Sequence, residues 1–518
     1  MERWGKVFFL IGLVCLGGFS IISSPVWAKD PEKVLIHADF SPLRSLDPPF
    51  VNIAPDQIMC RVIYQSLVRY KFNSSEIEGD LAKSWTVSKD GLVYTFKLRD
   101  NILWHKGFGK FTAKDVKYTF DRILDPKTGA PFRSEIADEI KEVRVVDDYT
   151  VEFRLNYPCV PFLHKLASPR GSAIVNSKAV EKFGKDYARN PIGTGPFIFE
   201  SWTREQTVMV ANKEFKQREG PPKIDKVIYK IIPDYDTLLM ALEKGEIDMA
   251  WLVPRDQAIH DRLKASGCKI ARIKRDACVH LCMNNKKKPF DDVRVRRAIA
   301  HAIDKDSLAK YILSGMGERL DSPIPKGILG YSDKGIPRYD YDPEKAKELL
   351  TQAGYPHGFE VNLDTDTSPS RLPIATAITE QLRKINISAK LTVTDQATWF
   401  GKYSKGITDF ILTTRGLQPD PDFTMMRQYH SSAFSPGLNV SKYDKIDDLI
   451  EKARMELDEK KRLKYYYEIQ KKIMEDLPDI PLVMQDYPAA YKSYISGVAE
   501  RDYVWGFDFY YTHYQEKR

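Results

Sequence analysis

Arg415 stands in "ILTTRGLQPDPDF" (residues 411–423), where an apolar run opens into a turn of two prolines and two aspartates. A desolvated guanidinium takes a planar anion, its parallel N–H groups matching two oxygens of a carboxylate or phosphate. Three partners are open to Arg415: an anionic ligand, an Asp or Glu elsewhere in the chain, or water. Other chemistry-bearing residues are sparse. The sequence holds no GxxxxGK[ST], GxGxxG, HExxH, GxSxG or paired CxxC motif. "GFGKFT" (residues 107–112) approaches a phosphate loop, but its first glycine falls at the wrong spacing. The nine histidines include no i, i+4 pair. "CVHLC" sets Cys278, His280 and Cys282 on one face of a strand, with no second Cys/His pair to complete a metal set. It reads as an apolar strand of small residues, the alternative being a long-range disulfide from one of the two cysteines. A Ser–His–Asp set assembled in three dimensions needs no local motif, so a secreted hydrolase remains the rival to a binding protein.

The elements that must position these residues form a mixture of strands and helices. "GLVYTFKL" alternates, with Leu92, Tyr94, Phe96 and Leu98 on one side, as a half-buried antiparallel strand does. Thr112 and Asp115 make a capping box that opens a helix near Ala113. Val295, Ala298, Ile299, Ala302 and Ile303 share one helical face, and aspartates precede them at the positive end. "DPEKAKELLTQAGY" is a further helix, with Pro343 just inside its start and Gly354 at its end. Ile446, Leu449, Ile450, Ala453 and Leu457 predict a long helix, followed by a second through about Glu475, where "LPDIPL" stops it.

The length of 518 residues implies two to four lobes. A net charge of +8 with mixed signs and no basic–aromatic array gives no reason to expect nucleic acid. Arg3 and Lys6, the apolar run from Val7 to Ile22 and the small Ala28 have the layout of a secretory leader, cleaved before Lys29. The run is shorter than the roughly 20 residues of a membrane span, so the expected location is the periplasm of a Gram-negative bacterium, soluble after cleavage. Of six cysteines, Cys15 lies in the leader; the other five are an odd number, so at least one is unpaired.

"GDLAKSWTVSKDGLVYTFKLRDNILWHKGFGKFTAKDVKYTFDRI" resembles the signature region of the family 5 extracellular solute-binding proteins, the dipeptide, oligopeptide and nickel receptors of ATP-binding-cassette (ABC) importers. Trp85, Asp90, Gly91, Leu98, Arg99, Trp104, His105, Gly107 and residues 111–116 fill that pattern, and "IGTGPF", "ALEKGEIDMAW", "PFDDVRVRRAIAHAIDKDSL" and "YDPEKAKELLTQAGYPHGF" follow in order. The resemblance implies an α/β periplasmic-binding-protein-like fold (type II, cluster C): two main lobes around a cleft, plus an inserted domain. Residues 1–28 are then the leader; 29–72, 191–283 and 489–518 the first lobe; 73–190 the insertion; and 284–488 a third lobe closing across a two-stranded hinge. It also implies a monomer without cofactor or catalytic role, which passes a peptide or other small solute to an inner-membrane ABC permease. A chelate, opine or sugar receptor is the alternative on the same fold.

Peptide-binding members place an aspartate about three residues before the Asp of the D-P pair; here that position is Leu417. With the anion missing and Arg415 beside it, the expected ligand carries an anionic group or lacks a free α-amine. The ligand-binding candidates are Arg415, Gly416 and Leu417, with Trp399 for stacking, Arg371 in "SPSRLP" for a carboxylate, and Trp505 on the hinge side. His430 is a weaker candidate, for a chelated metal, than as a surface loop residue. No metal site is expected.

Overall fold

The computed structural model describes residues 32–515 apart from 52, 169–170, 253–256, 369, 417, 436 and 499–507. Its first strand, β1 (Val34–Asp39), is followed by helix α1 (Ala54–Ile63). A separate antiparallel sheet then forms from β2 (Ala82–Val87), β3 (Val93–Leu98), β4 (Ile140–Asp147) and β5 (Thr150–Leu155), in the order β2-β3-β5-β4. Helix α2 (Ala113–Leu124), opened by the Thr112–Asp115 capping box, packs on it. Tyr94, Phe96 and Leu98 are buried as the alternation predicted, and Phe153 meets Phe120 edge-on at 4.8 Å.

The chain next lays down β6 (Phe197–Trp202), β7 (Gln206–Ala211), β8 (Lys226–Ile231), α3 (Tyr235–Lys244) and β9 (Met249–Trp251). A sixteen-residue strand, β10 (Cys268–Met283), leads to α4 (Val293–Ala302) and α5 (Pro343–Gln352). After them come β11 (Phe359–Asp366), α6 (Leu372–Arg383), β12 (Ile387–Thr394), α7 (Gln396–Lys405) and β13 (Phe410–Gly416). Three helices, α8 (Asp422–Gln428), α9 (Asp447–Met455) and α10 (Glu459–Asp476), precede the long last strand of the main sheet, β14 (Asp479–Lys492). Val295, Ala298, Ile299, Ala302 and Ile303 are buried as their spacing predicts. The helix expected to reach Leu457 ends at Met455, because the Asp458 side chain caps α10 and the three residues between serve as a break.

The main sheet runs β12-β11-β13-β10-β14-β9-β1-β8-β7-β6. Strands β10 and β14 hold it together in the middle. Their outer neighbours belong to different lobes: β9 lies on β14 through residues 489–491, and β13 lies on β10 through residues 277–283. The register between β10 and β14 shifts between Ile273 and Ala277, so the lobes exchange at that irregularity, inside the strand. Residues 283/284 mark the end of β10. A composition change marks where a strand stops, whereas an unbroken ladder crosses from lobe to lobe without one.

One apolar cluster joins the first lobe to the inserted sheet, while others lie within the third lobe. Asp47 of the first lobe takes both terminal nitrogens of Arg122 on α2, at 2.8 and 2.6 Å. Gly193 rests against the end of α1, where an added Cβ would lie 1.9 Å from the Ile63 carbonyl oxygen; only glycine permits that approach.

Candidate functional site

In each lobe the parallel strands reverse their order about a central one. In the first lobe β8 lies on one side of β1 and β9 on the other, both parallel to it; in the third lobe β12 and β13 flank β11 in the same way. Sheets wound like this bind ligands outside the carboxyl ends of their strands, beside the reversal. The register fixes where those ends point. Strand β9 runs from Met249, opposite Tyr491, to Trp251, opposite Ala489. Strand β13 runs from Phe410, opposite Met283, to Gly416, opposite Ala277. Both advance toward the middle of the β10–β14 ribbon, so the carboxyl edges of the two lobes face each other across it. Ala489 pairs with Ala271, and the interval from Ala271 to Ala277 is about 20 Å of extended chain. That gap suits a small solute.

The third-lobe edge carries Arg371 just after β11 and Trp399 in the first turn of α7. Arg371 donates its Nε to Asp366 Oδ1 at 2.9 Å and its Nη2 to Asp366 Oδ2, and the guanidinium carbon lies 4.2 Å from the Trp399 ring centre. Tyr403 stacks on Trp399, with ring centres 5.5 Å apart. Arg371 is thus held flat by a fully buried carboxylate and an indole face, its hydrogen bonds among the described residues using Nε and Nη2 and leaving Nη1 open. Near the same edge the buried Thr365 Oγ1, Thr414 Oγ1 and Trp399 Nε1 have no hydrogen bond among the described residues, nor does Gln485 Oε1 on the crossing ribbon. A buried polar group left unsatisfied costs about 1–3 kcal/mol; a polar ligand would recover part of that. Across the gap, Phe40 follows β1 and is 39% exposed.

Arg415, in contrast, faces inward. Its Nη2 donates to Asp479 Oδ2 at 2.5 Å and to Cys282 Sγ at 3.1 Å, and its Nη1 donates to the Tyr429 hydroxyl at 2.9 Å. His280 Nδ1 lies 3.2 Å from both Arg415 Nη1 and Asp479 Oδ1. Burial pushes the Asp479 carboxyl up, but Arg415 and His280 pull it further down, below the ordinary carboxylate range. The His280 imidazole is lowered to about 4, by burial first and by Arg415 second. Arg415 as the seat of an anionic ligand is therefore corrected. Its anion is Asp479, 64 residues along the chain, and both of its terminal nitrogens are engaged inside the fold, while its buried Nε has no hydrogen-bond partner among the described residues.

Asp420 and Asp422 are likewise committed to structure. Asp420 takes Arg462 at 2.7 and 2.8 Å and accepts the Asp422 N–H, while Asp422 takes Arg454 at 2.9 Å twice. Gly416 closes β13 at the facing edge, half-buried. Leu417, Trp505 and the leader lie outside the described residues. The five described cysteines are buried and none is joined in a disulfide, which removes the long-range disulfide. No cluster of three or more His, Cys, Asp or Glu suited to a metal occurs among the described residues. His430 Nδ1 lies 2.7 Å from Ser432 Oγ and its Nε2 lies 3.3 Å from Glu451. That resembles a hydrolytic set, but Nδ1 also accepts the Ser432 N–H, as a histidine closing a turn does. A cavity of about 50 Å³ between the first lobe and the insertion, lined by Arg61, Arg69, Arg218, Asp80 and Asp508, has room for water only. Sequence reasoning missed Asp366, Thr365 and Thr414; the signal for the first two is a strand, "VNLDTD", running into the Ser/Pro loop "TSPS".

The model of the bacterial extracellular solute-binding proteins, family 5, matches residues 76–436. The chain is 29% identical over 490 residues to the glutathione-binding protein GsiB of Pectobacterium atrosepticum, covering 92% of this chain and 93% of that protein. Among solved structures it is similar to the periplasmic binding protein DppA of Helicobacter pylori in complex with the peptide STSA. The TM-score is 0.84 at 30% identity, over 93% of this chain and 98% of DppA. It is also similar to MoaA of A. tumefaciens R10 in complex with mannopinic acid, with a TM-score of 0.83 at 30% identity over 94% of this chain and 100% of MoaA.

Proposed function

The chain belongs to the family 5 bacterial extracellular solute-binding proteins of ABC importers, and we propose that it works in the periplasm, enclosing a small solute with an anionic group between the facing strand ends of its two lobes. Arg371, held by Asp366 and laid on Trp399, receives the anionic group through its spare Nη1 edge. Gly416, at the end of β13, borders the same space.

The observation that carries this reading is the register that turns both carboxyl edges toward the middle of β10 and β14. A solute that touches both edges does so only when they are close, so it binds the closed form better and draws the equilibrium toward it. The importer's permease then reads closure as occupancy, and ATP is hydrolysed outside this chain. The related proteins are named for, or solved with, glutathione, a peptide and mannopinic acid. Each of these molecules carries a carboxylate, which suits a receiving arginine.

Native mass spectrometry of the purified protein tests the reading. A retained small molecule whose fragmentation shows a carboxylate or phosphate is the expected result. A retained solute without an anionic group would overturn it.

A further inference from the structure

Away from the crossing ribbon, the inserted domain and the third lobe meet a second time, through charges. Arg454 on α9 donates Nε and Nη2 to the two oxygens of Asp422, each at 2.9 Å, and its Nη1 reaches Glu139 Oε1 at 3.1 Å. Glu139 lies in the inserted domain, just before β4. There it accepts Lys165 Nζ at 2.5 Å, and Lys165 also donates to the Glu135 carbonyl at 2.9 Å. All four side chains are at least nine-tenths buried. The Val160 N–H donates to the Arg454 carbonyl at 3.1 Å, Arg427 lies 3.7 Å from Glu135, and Leu457 packs where a Cβ on Gly91 would meet it at 3.0 Å.

The inserted domain is fixed to the first lobe by Arg122–Asp47 and by a shared apolar cluster. The third lobe joins the first through β10 and β14. Rotation of the third lobe about that ribbon must therefore part Arg454 from Glu139. Each half is complete without the other: Arg454 keeps Asp422 in the third lobe, and Lys165 keeps Glu139 in the insertion. Parting them leaves no charge without a partner, so the seam avoids the large penalty of a broken buried ion pair. It can open and close at modest cost, and it favours the closed form while it holds.

We propose that the Arg454–Glu139 seam between the inserted domain and the third lobe is a ligand-independent latch that sets the open–closed balance of the empty receptor. This rests on the hinge-closing reading above and adds a term that no solute supplies. A latch of this kind changes the affinity for every ligand by one common factor, since it alters only the fraction of competent protein. A residue of the solute site such as Arg371 changes affinities ligand by ligand.

The test needs no ligand. The described cysteines are buried, so spin labels on K213C of the first lobe and E344C of the third report the distance between lobes in the empty protein. Glu139→Gln with Lys165→Gln removes the charge that meets Arg454 without leaving a buried lysine lacking its anion; the open-to-closed ratio is expected to rise about five-fold or more. Arg427→Ala, at the exposed rim of the seam, is a gentler second variant, expected to raise it about two-fold. Unchanged distance distributions in both folded variants would overturn the latch. If a solute still closes those variants, the receptor reading survives that failure. A seam that responds as expected while no solute alters any distance would count against the receptor reading alone.

Discussion

Two arginines of the third lobe, Arg371 and Arg415, both sit at the carboxyl end of a parallel strand, and both are almost wholly buried. Their surroundings differ. Around Arg415, Asp479, Tyr429, Cys282 and His280 engage both terminal nitrogens, from β10, β14 and the end of α8. Around Arg371, one carboxylate and one indole face hold the group flat and leave a terminal nitrogen without a partner among the described residues. A buried arginine is evidence for a ligand when a terminal nitrogen is left open; Arg415 has both terminal nitrogens taken and only its inward Nε unpaired among the described residues. Arg415 is a joint between strands, and Arg371 is a pre-set hand.

The largest effect that would break this contrast is expected at the joint. Asp479→Ala leaves a buried guanidinium without its anion and should cost about 3–5 kcal/mol in urea unfolding. The double variant with Arg415→Ala should lose less than the sum of the two single changes, because the members of one network are coupled. An Asp479→Ala protein as stable as the parent would mean that Arg415 finds its partner elsewhere. At the hand, Arg371→Gln alone would strand Asp366, so the pair is changed together. Arg371→Gln with Asp366→Asn should weaken binding of the retained solute about 30–100-fold in calorimetry, about 2–3 kcal/mol, with the melting temperature little changed. Equal affinity would remove Arg371 from the site.

Acid should find the joint before the hand. His280 is neutral in the fold, its pKa lowered to about 4, chiefly by burial. Unfolding frees it to take a proton at about 6.5. Its contribution is therefore present above pH 6.5 and is lost as pH falls toward 4, about 2 kcal/mol between pH 7 and 5. His280→Asn should flatten that part of the stability–pH curve; an unaltered slope would show that the imidazole is accessible. The smallest effect belongs to Trp399→Leu, which removes the face beneath Arg371 and should cost about 1 kcal/mol of solute affinity.

Local physics was legible in the sequence. The alternation of Tyr94, Phe96 and Leu98, the Thr112–Asp115 box and the buried stripe from Val295 to Ile303 all follow from spacing a few residues long. The partners of Arg415 and Arg371 were not equally legible. Asp479 lies 64 residues away behind three helices, and the segment "LPDIPL" reads as a stop signal when it also begins β14. Asp366 is only five residues from Arg371, yet nothing in "DTDTSPSR" says that the loop folds back on itself. The crossing of the lobes was hidden for a related reason: Ile273 to Ala277 lies inside a strand, where backbone pairing and not composition decides which lobe a residue serves.

Small-angle X-ray scattering on the solute-stripped and solute-loaded protein tests most directly whether two facing strand-end edges close on a solute about β10 and β14. A smaller radius of gyration is expected in the loaded protein, with the Arg371→Gln/Asp366→Asn form needing far more solute to reach it. Superimposable curves at every solute concentration, with binding verified in the same samples, would contradict it.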